Sequence, residues 1–451
     1  MRILLGSINS RFIHSNLAIR SIRAYLQKTL PENRTVVREW NISQPLLEIL
    51  RDIHAEKPDW IMLSVYIWNV ELTLRVIREI KKILPAVKIA AGGPEVSYRA
   101  KELLQDYPEI DHIIAGEGEE PACRLLSGDA PAVLESLQPA DLDALPFPYD
   151  ERDIGELGHR IIYYESSRGC PFGCTYCLSS IDRGVRYLGL QRVKNDLDFF
   201  LRHKVKLVKF TDRTFNLDPA RYLEIWRYIL ARHNGVTTFH FELVADLLTE
   251  DALELLRTAP DRVFQVEIGI QSANPETLRL VDRHTDLKKA RENIRRLGPN
   301  IHVHVDLIAG LPGESLEQFE RSFNYAITLL PGMLQLGFLK ILAGTRMADY
   351  ARANGFQFQA TPPYEVLSTP VLSFDDLCLL KDIEKVLRIY YNSGRFRAVF
   401  ETVCGTPDPF SFFRNLVIYL KKNGGLAEAH KPGVYADYLQ EFLAGKPPGA
   451  W

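Results

Sequence analysis

A chain of 451 residues has room for about three domains of roughly 150 residues, and its 46% hydrophobic and 25% charged content is that of an ordinary globular protein, which excludes disordered and collagen-like chains. Its 55 Lys plus Arg against 57 Asp plus Glu leave a net charge of −2, so no global basic field points to nucleic acid or an anionic membrane. No apolar run approaches the roughly 18 residues of a membrane span, and Met1 to Asn9 is too soon polar for a signal peptide, so a cytoplasmic protein is expected.

From the N-terminus, short runs rich in Ile, Leu and Val alternate with amphipathic stretches, the rhythm of βα units. Strands are predicted at Arg2 to Gly6, Thr35 to Trp40, Trp60 to Val65, Val87 to Ala91 and His112 to Ala115, with helical patterns after each, ending near Leu126. Five such units imply an α/β domain over 1–128, a flavodoxin-like or Rossmann-like parallel sheet whose ligand sits at the C-terminal strand ends near the switch point. Residues 129–158 lose the periodicity and carry Pro131, Pro139, Pro146 and Pro148, so they read as a linker over the surface.

A second series fills 159–350. Its strands are expected at Ile161 to Ser166, Val205 to Thr211, Thr238 to Val244, Val263 to Ile268, His302 to Ile308 and Met333 to Leu342, with helices such as Pro219 to Arg232 and Leu316 to Leu329 between them. Six repeats suggest a partial, open (β/α)6 barrel of the TIM type. Beyond it, 351–451 reads as a Pro-rich loop and a small helical extension, with helices at Asp375 to Tyr391, Pro409 to Lys422 and Val434 to Phe442.

Three of the six cysteines, Cys170, Cys174 and Cys177, lie in one window directly after the first strand of the second series. Such a triplet arises by chance in only about one comparable chain per thousand. A structural zinc site wants four protein ligands, and no fourth Cys or His stands at ligand spacing. Three thiolates suit a four-iron, four-sulfur cube with one iron left open, and Gly169, Pro171 and Gly173 let the loop wrap closely around it. Cys123, Cys378 and Cys404 are isolated and read as small buried residues.

This triplet, on the first strand of a six-unit series, resembles the radical S-adenosylmethionine (SAM) superfamily. The resemblance implies that the open iron chelates SAM and that the reduced cluster cleaves it to methionine and a 5′-deoxyadenosyl radical. It implies SAM contacts at Tyr176, beside adenine, and at Asp212, Glu242, Glu267 and Gln271 on the following strand ends, with Ser272 as a further polar candidate; for Asp212, capping of the next helix is the competing role. It also implies that the backbone at Ile308, Gly310 and Leu311 holds the adenine.

In the first module, three strand ends together resemble the cobalamin-binding domain that precedes the barrel in one subclass. They supply Ser64, Val65 and Trp68, then Gly92, Gly93 and Glu95, then Gly116, Gly118 and Glu119. The resemblance implies that the corrin lies between the two domains. The Asp-x-His-x-x-Gly cobalt-ligand motif is missing: Asp52-Ile53-His54 falls in a helical pattern and has Lys57 at the glycine position, and His14 has Phe12 where the Asp would stand. His54 is therefore expected on the surface, His14 in a turn or cap, and the lower cobalt face without a histidine.

The resemblance implies an enzyme using a [4Fe-4S] cluster, SAM and cobalamin under anaerobic conditions, with C-methylation of an unactivated carbon as the leading reaction. The same cofactors could instead drive oxidative cyclisation, ring contraction or rearrangement, and a cobalamin or redox sensor is the non-catalytic alternative. A flavodoxin or ferredoxin type electron donor is expected, with no nucleic acid and no membrane span. Catalytic residues and the substrate, small molecule or peptide, are unassigned. The last hundred residues are expected to cover the substrate, with Tyr390, Tyr391 and Arg395 as unranked candidates.

Overall fold

In the computed structural model, residues 1–128, 130–136, 141–181 and 183–445 are described. The N-terminal apolar runs form a parallel sheet of β1 (Arg2–Asn9), β2 (Arg34–Asn41), β3 (Trp60–Ser64), β4 (Lys88–Gly92), β5 (His112–Ala115) and β6 (Val133–Glu135), in the order 2-1-3-4-5-6. Both faces are covered: one apolar cluster includes Leu4, Ile61 and Ile77, the other Ile3, Met62 and Leu125. The order reverses between β1 and β3, which opens the crevice at the C-terminal end of the sheet where doubly wound folds bind ligands.

The segment expected to be a surface linker, 129–158, is structured in part. Val133–Glu135 extends the sheet by pairing with β5, and Leu142 and Tyr149 are buried. A three-residue strand is too short to show periodicity, and prolines on either side of it hide it further. Residues 129 and 137–140 of that segment, Pro139 among them, and 446–451 lie outside the described residues.

The second sheet comprises β7 (Ile162–Tyr164), β8 (Leu207–Phe210), β9 (Thr238–Leu243), β10 (Phe264–Gln271), β11 (His302–Ala309) and β12 (Met333–Phe338), each paired in parallel with its neighbours in sequence. β7 and β12 do not pair, so the barrel is open. Along β10, Phe264, Val266, Ile268 and Ile270 are buried under helices while Gln265, Glu267, Gly269 and Gln271 face inward. The free edge of β7 receives the other module: His14 bridges to Ile161 in parallel register, and Ser15 Oγ donates to the Ile161 carbonyl at 2.6 Å.

The C-terminal helices, Phe374–Val386, Arg397–Cys404, Pro409–Lys422 and Pro432–Ala444, share one continuous apolar cluster with the barrel. They extend its core instead of standing apart from it. Tyr390 is fully buried beside Phe396 and Tyr435, and Tyr391 donates at 2.6 Å to the Pro331 carbonyl at the start of β12. With exposed Arg395 nearby, this group lies at the opposite end of the barrel from the cysteines, so the expected substrate cover is not built from these three residues. The mouth is overlaid instead by the hairpin of Gln357–Phe358 and Val366–Ser368, tied to the end of β12 through Val366 N to the Leu339 carbonyl. Among the described residues, no helix is long and apolar enough to cross a membrane.

Candidate active site between the two sheets

The loops at the C-terminal ends of both sheets meet. Leaving β7, the chain pairs Ser167–Arg168 against Arg186–Tyr187 and turns through Gly169, whose φ of +95° and 1.8 Å approach of a would-be Cβ to the Gly184 carbonyl admit only glycine. The cysteine loop is then pinned from two sides: Thr175 N donates to the Val281 carbonyl at 3.0 Å, and Met347 N to the Thr175 carbonyl at 2.9 Å. Cys170 and Cys174 are buried, Cys177 half-buried, and all three thiols are free. Thr214 Oγ1 lies 3.6 Å from the Cys170 sulfur, and Arg283 Nη1 donates to the Cys174 sulfur at 3.7 Å.

Around them, Thr175 Oγ1 and Arg283 Nε are buried without a hydrogen-bond partner among the described residues, and the buried Tyr176 hydroxyl lies beside the Cys174 thiol and Arg283. Unsatisfied polar atoms beside three thiols that form no disulfide mark a place for a further group. The thiols do not converge on one ion: among the described residues the one trio whose ligand atoms lie within 4.8 Å of one another is His240, Glu267 and His304. A polynuclear cluster, in which each thiolate meets a different iron, fits the cysteine set.

The His240, Glu267 and His304 trio has its cation already. Lys209 Nζ donates at 2.8 Å and His240 Nε2 at 3.0 Å to the same Glu267 oxygen. Against burial, which would raise it, His240 and Lys209 hold the Glu267 carboxyl well below the usual range. An ammonium where an ion would sit makes this a structural charge cluster on the barrel floor, and Glu267, expected to reach SAM, is engaged there.

Other inward carboxyls are less committed. Burial, with Glu267 adding to it, pushes Glu242 up to about 7 against the pull of Arg213. Burial and the charges of Glu267 and Glu242 push Asp306 up to about 8, and its Oδ1 is buried without a hydrogen-bond partner among the described residues. Both face the interior as proton-bearing groups near neutrality. Gln271 stands at a bulge with φ +68° and a buried, unpartnered Oε1.

Several expected contacts are placed elsewhere. Asp212 is buried and accepts from Ser166 N at 2.9 Å, Ser166 Oγ at 2.7 Å and Ser167 Oγ at 2.6 Å, so it braces the start of the cysteine loop; the cap of the next helix is Asp218. Ser272 is buried and donates to Glu314, which also accepts from Ser322 of the helix Leu316–Ile327, so its hydroxyl is already engaged. Ile308 is half-buried and faces inward, the Leu311 side chain is fully buried, and Gly310 at φ +88° makes room for Val366.

On the facing sheet, Ser64 Oγ accepts from Asn16 Nδ2 at 3.0 Å within a network that includes Ser7 and Asn9 over the switch point. Trp68 is 45% exposed and stacks on Tyr66 with centroids 4.5 Å apart. With Phe12 and Ile13, also exposed at these strand ends, it forms an apolar rim suited to a large flat ligand, and the cobalamin expectation fits it. Val65 is buried and donates to the Gly92 carbonyl at 2.7 Å. His14 Nδ1 lies 2.7 Å from the Tyr163 hydroxyl, and His54 is exposed on the helix Leu46–Glu56.

The glycines here answer first to the protein's own packing. A Cβ on Gly93, at φ +113°, would lie 2.5 Å from the Val65 carbonyl; on Gly118 it would lie 2.7 Å from Ile22, and on Gly116, at φ +94°, 2.9 Å from Ser136. Gly92 has only ordinary contacts. Glu95 accepts from the Tyr364 hydroxyl of the covering hairpin, and Glu119, expected at cobalamin, accepts from Arg168 at 2.6 Å. Sequence reasoning passed over Arg168, Glu117, Lys209, Arg283 and Tyr364; their charge or polarity in strand-end loops was visible, but not the partners that give it meaning.

Residues 3–126 match the B12 binding domain family, 164–326 the Radical SAM superfamily, and 353–447 a protein family of unknown function, DUF4080. Among curated proteins, the chain is 27% identical over 311 residues to the cobalamin-dependent radical SAM methyltransferase TokK of Streptomyces tokunonensis, covering 58% of this chain and 44% of TokK. It is 22% identical over 321 residues to the anaerobic magnesium-protoporphyrin IX monomethyl ester cyclase of Rubrivivax gelatinosus, covering 63% of this chain and 57% of the cyclase. The chain thus spans less than half of TokK's length. Its fold is that of the cobalamin-dependent S-adenosylmethionine radical enzyme OxsB, with a TM-score of 0.69 at 16% identity over 98% of this chain and 75% of that one.

Proposed function

We propose that this chain, which belongs to the radical SAM superfamily and carries a B12 binding domain ahead of its barrel, is a methyltransferase that adds a methyl group to an unactivated carbon. The observation that carries this reading is the shared opening: the cysteine loop and the apolar rim of the first sheet face one another across contacts contributed by both modules. When bound, the cofactors supply a hydrogen-abstracting 5′-deoxyadenosyl radical and a transferable methyl group.

Cys170, Cys174 and Cys177 would hold the cluster through their sulfurs. Tyr176, Gln271 and the backbone at Ile308, Gly310 and Leu311 line the SAM side, where Gln271 Oε1 has an unused acceptor. Trp68, Val65 and Ser64, with the Gly92 turn, would receive cobalamin, while His14 is engaged by the Tyr163 hydroxyl. Asp306 holds a proton at its carboxyl inside the barrel and so presents a donor to the substrate near neutral pH, and Glu242, at about 7, is poised to take up or give a proton there. The hairpin around Tyr364 excludes water above them. A flavodoxin or ferredoxin type protein supplies the electron.

Product stoichiometry tests this. Each methylation is expected to yield one 5′-deoxyadenosine and one S-adenosylhomocysteine, measured anaerobically by chromatography. The similarity to a cyclase supports a second reading, ring closure with the same cofactors, and deoxyadenosine without S-adenosylhomocysteine would establish that reading in place of methyl transfer.

A further inference from the structure

Arg168 lies two residues before the first cluster cysteine, and its guanidinium is held by carboxylates of both modules. It donates to Glu165 of its own loop, to Glu117 at 2.8 Å and to Glu119 at 2.6 Å. Arg186, on the strand paired with Ser167–Arg168, also pairs with Glu117. The Arg168 side chain is 13% exposed and that of Glu119 is 7% exposed. Two of the three carboxylates that Arg168 donates to lie on the Gly116–Glu119 loop, and moving that loop would leave buried guanidinium N–H groups without acceptors, so the position of Arg168 depends on where the loop stands. That loop leaves β5 at the ligand edge of the first sheet, while the other end of the connection, Gly169, is sterically locked against Gly184. Displacing either loop therefore displaces the other.

We propose that Arg168 is a positioning residue that couples the two cofactor sites, so that cobalamin and the iron-sulfur cluster bind with positive reciprocal cooperativity. This rests on the cofactor placement given above. Linkage requires the coupling to be equal in both directions, whichever cofactor enters first.

The test uses full-length protein under anaerobic conditions, with hydroxocobalamin as the probe and its absorbance as the readout. Cluster-loaded wild type should bind on the order of tenfold more tightly than the same protein stripped of iron. In Arg168→Met, with the three cysteines intact, the ratio should fall to about one, and addition of hydroxocobalamin should no longer change the electron paramagnetic resonance spectrum of the reduced cluster. Glu119→Gln keeps shape and burial but removes one charge, so it should give an intermediate ratio and guards against misfolding of the first variant. Equal affinities in loaded and stripped wild type, or full coupling in both variants, would overturn the proposal alone. No cobalamin binding by wild type in either state would overturn the cofactor placement and the proposal with it.

Discussion

The two strand edges that face one another were built on different terms. On the barrel side, the cysteine loop carries three thiols outside any disulfide and, among the described residues, several buried polar atoms without a hydrogen-bond partner. On the facing edge, the corresponding groups are already in use: Glu119 on Arg168, Glu95 on Tyr364, Ser64 on Asn16, and Gly93 against Val65. One edge keeps groups available to a ligand, whereas the other uses its polar groups to shape itself. The same residue types thus carry different information on the two sides.

The largest expected effect breaks the comparison at its coordinating side. Replacing Cys170, Cys174 and Cys177 together by Ala should abolish both bound iron and deoxyadenosine formation, measured by metal analysis and chromatography, while hydroxocobalamin binding survives in weakened form. Retention of about four irons per chain would remove the site.

Asp212→Ala comes next. It orphans the Ser166 and Ser167 donors that its buried carboxylate accepts, which costs on the order of 3 kcal/mol and should appear as a fall in Tm of several degrees together with loss of iron. A variant with unchanged Tm and a raised KM for SAM would return Asp212 to the role of a ligand.

The paired glycines give a contrast of intermediate size. Gly93→Ala forces a Cβ to within 2.5 Å of a carbonyl at φ +113°, and should cost about 1–3 kcal/mol and impair cobalamin binding. Gly92→Ala meets nothing closer than 3.5 Å and should leave thermal stability nearly unchanged. Equal losses at both positions would show that the ligand, not the chain, requires the glycines.

The smallest effect is a pH slope. Glu242 at about 7 and Asp306 at about 8 have folded-state values raised above those of the unfolded chain. Between about pH 4 and pH 8 the folded protein therefore holds protons that the unfolded chain has lost, and its stability falls as pH rises through that window. Asp306→Asn should flatten the decline in Tm from pH 5 to pH 8; an unchanged slope would show that Asp306 is ionised throughout.

Much of the architecture could be read from one-dimensional pattern. The strands of both sheets repeat at a period that burial under helices imposes locally, and the helices Pro219–Arg232 and Pro409–Lys422 have the bounds expected from their residues. The cysteine triplet was legible for a similar reason, since all three residues lie within one short loop. Val133–Glu135 was not, because its evidence is a partner strand and not its own three side chains.

What the sequence determined by itself, then, was whatever is local: strand and helix, the order of modules, and the cysteine loop. Only the tertiary structure decided what each charged residue is for. Glu119 and Arg168 are 49 positions apart, Glu95 and Tyr364 are 269 apart, and Glu267 meets Lys209 from two strands away. A carboxylate looks the same in sequence whether it meets a ligand or an arginine, because its role is set by the group that folding brings within 3 Å of it.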